Sequence, residues 1–516
     1  MGNMGRIAEN GDVYAFYIEE LGKYGTCQVL DVWGGSLCYI LLDYLGEEVP
    51  SENDLKEIKP FYKECYINRH RMVKQVIDKL SVPGNYIYIG KIPLVVTNCR
   101  DGSYFNDVWQ QGTDYIFEER WKAAGNEAQR NYKKYINSGE FVRIKKELVK
   151  KNKDCLDNDL YKLLDDNSSL CGFPCIISAD VHGYSQKLVN LIKTSPLLHS
   201  LKLSNTEADI VDLRGTGLYN IETDITGVNK IMLPEETDRL EIYGNIKKQF
   251  YIYGNPVIKD KGIILDIHIK NIKEFPGIIF KDVKIRELNI DNIKELDIEI
   301  ITRYFPDIKK ISLTGSPGII TNIHKMEFLK NLQTIGFYDI FGYNDCDVKI
   351  FGQLEELREI DFYSVPKTAG KYIKKHWENR LDVLSVKSMR DSGWLADNID
   401  NPLRKWDGSG FVPAAAYKRS FKCYKDTKKL LLNAENSEDV IEIVRQYTRN
   451  FNELNRKYGQ FIETEEREDI FMAMEQLYKE CILGKSNNNK SRNTTKDINI
   501  TLEEVLNVIE ENKEDW

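Results

Sequence analysis

Residues 354–363 read LEELREIDFY. Leu357, Ile360 and Phe362 are spaced apolar-x-x-apolar-x-apolar. The same figure recurs at Ile264/Ile267/Ile269, Ile285/Leu288/Ile290, Ile308/Ile311/Leu313, Leu332/Ile335/Phe337 and Leu381/Leu384/Val386. The middle members, 267, 288, 311, 335, 360 and 384, follow one another at 21, 23, 24, 25 and 24 residues. Self-similarity at a fixed short interval is the signature of a fold that stacks one coil on the next.

That interval is the leucine-rich-repeat period, with one short strand per coil and a helix or looser arc returning on the outside. HKMEFLKNLQ (324–333) and KTAGKYIKKHWENR (367–380) have the pattern of two return arcs. An ordinary α/β domain would need six consecutive coincidences to imitate this. Upstream, Leu201, Val211, Ile221, Ile231, Leu240 and Phe250 recur about every ten residues. They are either alternate strands of irregular repeats or tight coils with almost no helix.

Working outward, residues 1–112 form a β-rich unit. GDVYAFYI (11–18), YGTCQVLDVW (24–33), SLCYILLDYL (36–45) and NYIYIGKIPLVV (85–96) are aromatic and β-branched runs parted by Gly34-Gly35 and Pro83-Gly84-Asn85. CYINRHRMVKQVIDKL (65–80) reads as a helical insert. Residues 113–170 are charged and helical, a connector into a solenoid over 171–388. Its basic run RIKKELVKKNK (143–153) reads as a solvated helix face. Residues 389–484 turn to amphipathic helices suited to capping the stack, 485–500 form a polar linker, and 501–516 form a helix opened by Thr501. The fold class is therefore multidomain α+β: a small β-rich domain, an irregular leucine-rich-repeat solenoid with a parallel sheet, and a helical C-terminal cap.

The 516 residues carry a formal net charge of -8 and no Lys/Arg stripe, which argues against nucleic acid as a partner. No apolar run approaches the length of a spanning helix, and no secretory signal precedes the first strand, so no membrane association is expected. Gly2 follows Met1, but Arg6 stands where a myristoylation signal has Ser or Thr. Ten dispersed cysteines fit reduced thiols in the cytoplasm.

CIISADVHGYSQKLVNLI (175–192) raises the chance of an enzyme, since Asp180 and His182 at a strand end resemble the first ligands of a metal-dependent phosphoesterase. A two-metal site needs several more ligands, one of them bridging. The later histidines, His199, His268, His324 and His376, stand in no Asn-His or Gly-His dipeptide. The stretch reads better as strand, turn and helix, with Asp180 capping the helix and Gly183 making the turn. Cys171, Cys175 and His182 match no zinc spacing, and no P-loop, GxSxG or HExxH occurs. The expectation is no catalytic residue, no metal and no cofactor.

In stacked coils, residues between the inward apolar positions line one continuous outer face. By that rule the partner-binding candidates are Asp266, His268, Asn289, Lys310, Ser312, Thr334, Tyr338, Glu359, Asp361, Tyr363 and Ser385. Tyr338 and Tyr363 are the expected anchors, and Glu359 and Asp361 suit a basic partner.

GDVYAFYI, KYGTCQVLDV, CYILLDYLG and NYIYIGKIPL resemble the immunity protein 26 family, small domains of bacterial polymorphic-toxin systems. SLKLSNT (200–206), DLRGTGL (212–218), WLADNIDNPLRKWDG (394–408) and FIETEERED (461–469) are similar to bacterial leucine-rich-repeat proteins with a helical tail. The first resemblance implies a protein that binds and neutralises a toxin domain. The second implies binding without defined chemistry. The expectation is a non-enzymatic immunity protein acting by occlusion. A scaffold or sensor of phage or cellular proteins is the alternative, and a metallophosphoesterase-like enzyme the remote one.

Overall fold

Ile311, Ile335 and Ile360 stand side by side on neighbouring strands, as do Leu313, Phe337 and Phe362. All six are fully buried. Matching apolar side chains from successive parallel strands thus stack into continuous ribs, and that stacking holds the strands in register. The computed structural model describes residues 7–65, 71–77, 80, 82–97, 104–106, 109, 112–246, 249–269, 277–378, 380–399, 401–483, 498–514 and 516. The chain divides into two units, Met1–Arg390 and Asp391–Trp516.

The first unit is mixed α+β. Its long sheet has eleven strands, all parallel and in chain order: Cys155–Asp157, Ser178–His182, Ser200–Ser204, Asn220–Asp224, Arg239–Tyr243, Ile263–His268, Ile285–Asp297, Lys310–Thr321, Thr334–Phe341, Glu359–Tyr363 and Val383–Lys387. Four further strands, Ile210–Asp212, Lys230–Met232, Phe250–Tyr253 and Ile278–Lys281, make a second parallel sheet. This explains the ten-residue beat. Leu201, Ile221 and Leu240 belong to the long sheet, and Val211, Ile231 and Phe250 to the second. The early strands of the long sheet are thus linked through strands of the second sheet, whereas later ones are linked through Ile298–Tyr304, Ile323–Phe328, Asp347–Gln353 and Lys367–Trp377. Met326, Phe351 and Ile373 seal those later arcs against the ribs.

Three sequence expectations are corrected here. Leu265 and Ile267, not Ile267 and Ile269, pair with Leu288 and Ile290. An irregularity between Ile263 and Ile264 shortens the spacing by one residue, so Ile263, Leu265 and Ile267 take the places of Ile285, Leu288 and Ile290, while the apolar figure fits only the out-of-register Ile264, Ile267 and Ile269. The sheet also begins at Cys155, inside the segment read as connector, because Leu156 is a short apolar tooth with no repeat of its own. Third, the basic run is a hairpin, Phe141–Ile144 with Glu147–Lys150, rather than a helix face. Its apolar residues Val142, Ile144 and Val149 pack on the core, and Lys145 turns the chain at φ 53°.

The N-terminal part is an open, six-stranded, mainly antiparallel sheet, ordered Tyr86–Lys91, Asp12–Ile18, Lys23–Trp33, Ser36–Gly46, Lys74–Ile77, Tyr104–Asn106. Only its last pair is parallel. Gly34 and Gly35, both at positive φ, make the tight turn that two-residue hairpins require. The reading of 65–80 as a helix fails where the structure describes it, since Arg71–Met72 and Lys74–Ile77 are strands. Tyr14, Phe16 and Ile18 meet Tyr86, Trp109 and Tyr115 in one core. Tyr115 comes from the helix Thr113–Ala123, which thereby belongs to this sheet. Further along, Trp121 and Tyr132 bury Cys65, Cys175 and Leu197, joining the N-terminal part to the long sheet.

The second unit contains three long helices, Ala414–Asn433, Ser437–Lys457 and Thr464–Tyr478. Leu502–Asn512 packs on them through Val505 and Ile509, and Thr501 caps it in a capping box with Glu504. Its apolar face therefore finds its partner in its own chain. The polar linker at 485–500 lies outside the described residues except for 498–500.

Candidate functional site

Along each strand of the long sheet one set of side chains enters the ribs and the other stands on the opposite face. Register converts the second set into columns. The middle column runs Lys202, Glu222, Glu241, Asp266, Asn289, Ser312, Gly336, Asp361, Ser385. Beside it Tyr243 precedes His268, and further along Thr314, Tyr338, Tyr363 and Lys387 are neighbours. On the other side lie Glu287, Lys310, Thr334, Glu359 and Val383. The eleven sequence candidates thus share one face, but not equally.

Asp266 is 2% exposed, against the expectation of an exposed candidate. Its carboxylate accepts from Arg239 at 2.6 and 3.1 Å and from Asn289 at 2.7 Å, so it ties three strands together. Asn289 is spent in the same knot. His268 is half-buried between two carboxylates, Nδ1 2.7 Å from Asp291 and Nε2 3.2 Å from Glu241. The bond to Asp291 holds its imidazole above the usual histidine range against the opposing effect of burial. Asp291 moves the other way, held below the carboxylate range by His268.

The C-terminal half of the face is different in kind. Ser312, Gly336 and Ser385 are small, so the middle column there is shallow. Tyr338 donates its hydroxyl to Asp361 at 2.7 Å, and burial followed by that carboxylate pushes the phenol up. Tyr363 stands beside Tyr338. Lys310 is exposed, its Nζ 3.7 Å from Glu287. Thr334 donates to Glu359 at 3.3 Å. The Tyr338 ring closes over the buried Gly336, 3.0 Å from where a Cβ would stand, so aromatic surface covers the middle column there, with Tyr363 beside it.

The N-terminal sheet rests along the rim where these strands begin. Lys309 pairs with Glu19 at 2.5 Å, Arg286 with Glu20 at 3.1 Å, and the Gly84 N–H donates to Asp382 at 3.0 Å. Arg286 is the buried centre of the contact, also reaching Asp238 at 3.1 Å and the Gly262 carbonyl at 2.9 Å. Between the two parts lies a cavity of about 50 Å³ walled by Tyr86, Trp109, Arg358, Glu359, Asp382 and Val383. Sequence reasoning missed this rim, because no local pattern announces a contact made across hundreds of residues. It also missed Arg239, Glu241 and Tyr243, although DRLEIYG (238–244) carries the inward pair Leu240 and Ile242.

Asp180 and His182 lie on the strand Ser178–His182, both exposed. His182 shares a 3.0 Å contact with Asn205 rather than with an acid. Ser185, not Asp180, caps the following helix, accepting from Leu188 at 3.3 Å, because Gly183 at φ 77° places the turn after the strand. Among the described residues no group of three His, Cys, Asp or Glu side chains is placed to hold a metal ion. None of their helices is long and apolar enough to cross a membrane. A second recess, about 330 Å³, lies between the helix Asn126–Tyr135 and the turns carrying Phe173 and Pro196. Comparison with family models and with curated proteins finds no match to this chain.

Proposed function

We propose that the chain is a leucine-rich-repeat protein that works by gripping another protein, and that its partner is a toxin domain which it neutralises by occlusion in the cytoplasm. The observation that carries this is the C-terminal half of the long-sheet face, where Tyr338, laid over Gly336, and Tyr363 present neighbouring aromatic side chains. A broad parallel surface with Tyr338, Tyr363, Asp361 and Glu359 on neighbouring strands offers anchors and charge to a macromolecule. Supporting the repeat reading, inward pairs succeed each other at 265, 288, 311, 335, 360 and 384, intervals of 23 to 25 residues once the register is corrected. The resemblance of the first hundred residues to the immunity protein 26 family supplies the toxin half of the proposal.

A second reading is a scaffold or sensor. The separate core of Asp391–Trp516 favours it, since an independent helical unit can recruit a further component. Co-expression with a toxin domain captured by co-purification from the native host separates the two. Neutralisation predicts rescued growth and a stoichiometric complex on size exclusion. Absence of any such complex, or rescue by trace amounts of the protein, would sink occlusion.

A further inference from the structure

We infer that Asp361 is the socket for an arginine side chain of the partner, whose guanidinium docks on the carboxylate beside the rings of Tyr338 and Tyr363. The inference rests on the reading of the long-sheet face as a docking surface and adds the chemistry that surface recognises.

The fold already contains a completed version of this arrangement. Asp266 and Asp361 occupy the same column of the long sheet, joined in register through Asn289, Ser312 and Gly336. At Asp266 the preceding strand supplies Arg239, which donates to both carboxylate oxygens, at 2.6 and 3.1 Å. On the strand before Asp361 the matching position is Thr334, which carries no cation and donates its hydroxyl to Glu359 at 3.3 Å. Among the described residues Asp361 accepts from the Tyr338 hydroxyl at 2.7 Å and meets no lysine, arginine or histidine. Lys387, on the last strand in register with Tyr363, does not reach it. Elsewhere on the face, Lys202 matches Glu222 at 2.5 Å, and His268 matches Asp291 and Glu241 at 2.7 and 3.2 Å. Asp361 is half-buried, so its charge is screened less than that of an open surface acid, and its counter-charge has to come from outside the chain.

The surroundings select a guanidinium. Tyr338 occupies one lone pair of Oδ2, which leaves Oδ1 and the rest of Oδ2 to a forked donor. The Tyr338 ring lies over Gly336 on one side of Asp361, Ser385 is the small neighbour on the other, and Tyr363 follows two residues on along the same face. A planar, weakly hydrated cation spreads over such rings better than a compact ammonium does. This chain makes that contact once within itself, where the Arg120 guanidinium lies 3.6 Å from the centre of the Tyr219 ring. Glu359, two residues before Asp361 on the same face, adds a second negative charge. An anionic group would therefore be repelled, and a neutral one would leave Asp361 without its counter-charge.

The test uses the full-length chain with ¹³C-labelled tyrosine and N-acetylarginine amide as probe. The citrulline analogue, equal in shape and without charge, and the lysine analogue are the controls. Tyr338→Phe and Tyr363→Phe identify the two signals, and the rest of the 29 tyrosines report on fold. The expected result is a saturable shift of both signals with the arginine probe, weaker with lysine and absent with citrulline. Asp361→Asn keeps an acceptor for the Tyr338 hydroxyl and removes the charge, while Asp361→Ser repeats what the column carries at Ser312 and Ser385. Each should weaken the probe by about tenfold or more with the remaining tyrosine signals in place. No saturable shift, an equal response to citrulline or lysine, or undiminished binding in the variants overturns the proposal. Because the probe needs no toxin, a toxin that binds where the probe does not would remove this socket and leave the docking face standing, so the two proposals fail separately.

Discussion

Nδ1 of His268 lies 2.7 Å from Oδ2 of Asp291, across two strands of the long sheet. The pair links protonation to stability in both directions. His268 is raised, so its contribution is complete below the unfolded histidine pKa and fades as pH rises through the folded value. Asp291 is lowered, so its contribution holds above the unfolded carboxylate pKa and fades as pH falls through the folded value. Stability from this pair is therefore greatest between those limits. Both groups are about one-third exposed, which keeps the amount below about 1 kcal/mol. An NMR titration should find His268 above the ordinary histidine pKa and should find it lower in Asp291→Asn.

Arg286 carries a larger load. Its side chain is 5% exposed and meets Asp238, Glu20 and the Gly262 carbonyl. Arg286→Met would leave the partly buried Asp238 with Lys261 alone, at 3.3 Å, at a cost of about 3 kcal/mol, the low end for a broken buried pair. Chemical denaturation should show that loss. Glu20→Gln removes one more exposed partner and should cost under about 1 kcal/mol.

The alternation along each strand makes a paired prediction. Ile311 is fully buried, and Ile311→Ala should cost about 2–5 kcal/mol through the cavity it leaves. Ser312 stands on the opposite face, and Ser312→Ala should stay within about 0.5 kcal/mol. Similar losses from both would contradict the register.

A cut at 170 tests the unity of the first unit. It removes the strand Cys155–Asp157 from the sheet, and separates Trp121 and Tyr132 from Cys175 and Leu197. The fragment 171–516 should aggregate or lose cooperativity on thermal melting, whereas the whole chain should not.

The apolar periods carried much of the fold. From Leu288 onward the ribs lie where the spacing put them, because inward pairs recur with little variation and nothing else satisfies them. The register of the coil before that was illegible: Ile264 and Ile269 completed an apolar figure that the irregularity at Ile263 displaces. The face was legible by parity alone, which placed Asp266 correctly but said nothing of Arg239 folding over it. The rim was invisible, since Glu19, Glu20 and Gly84 acquire meaning only once 286, 309 and 382 arrive beside them.

The most direct measurement is the dissociation constant of a toxin domain captured by co-purification from the native host, for wild type and for the double variant Tyr338→Ala/Tyr363→Ala. Loss of two anchors on one face should weaken binding by about a hundredfold or more, near 3 kcal/mol, with the thermal melt preserved. Unchanged affinity in a folded double variant would contradict docking on the long-sheet face.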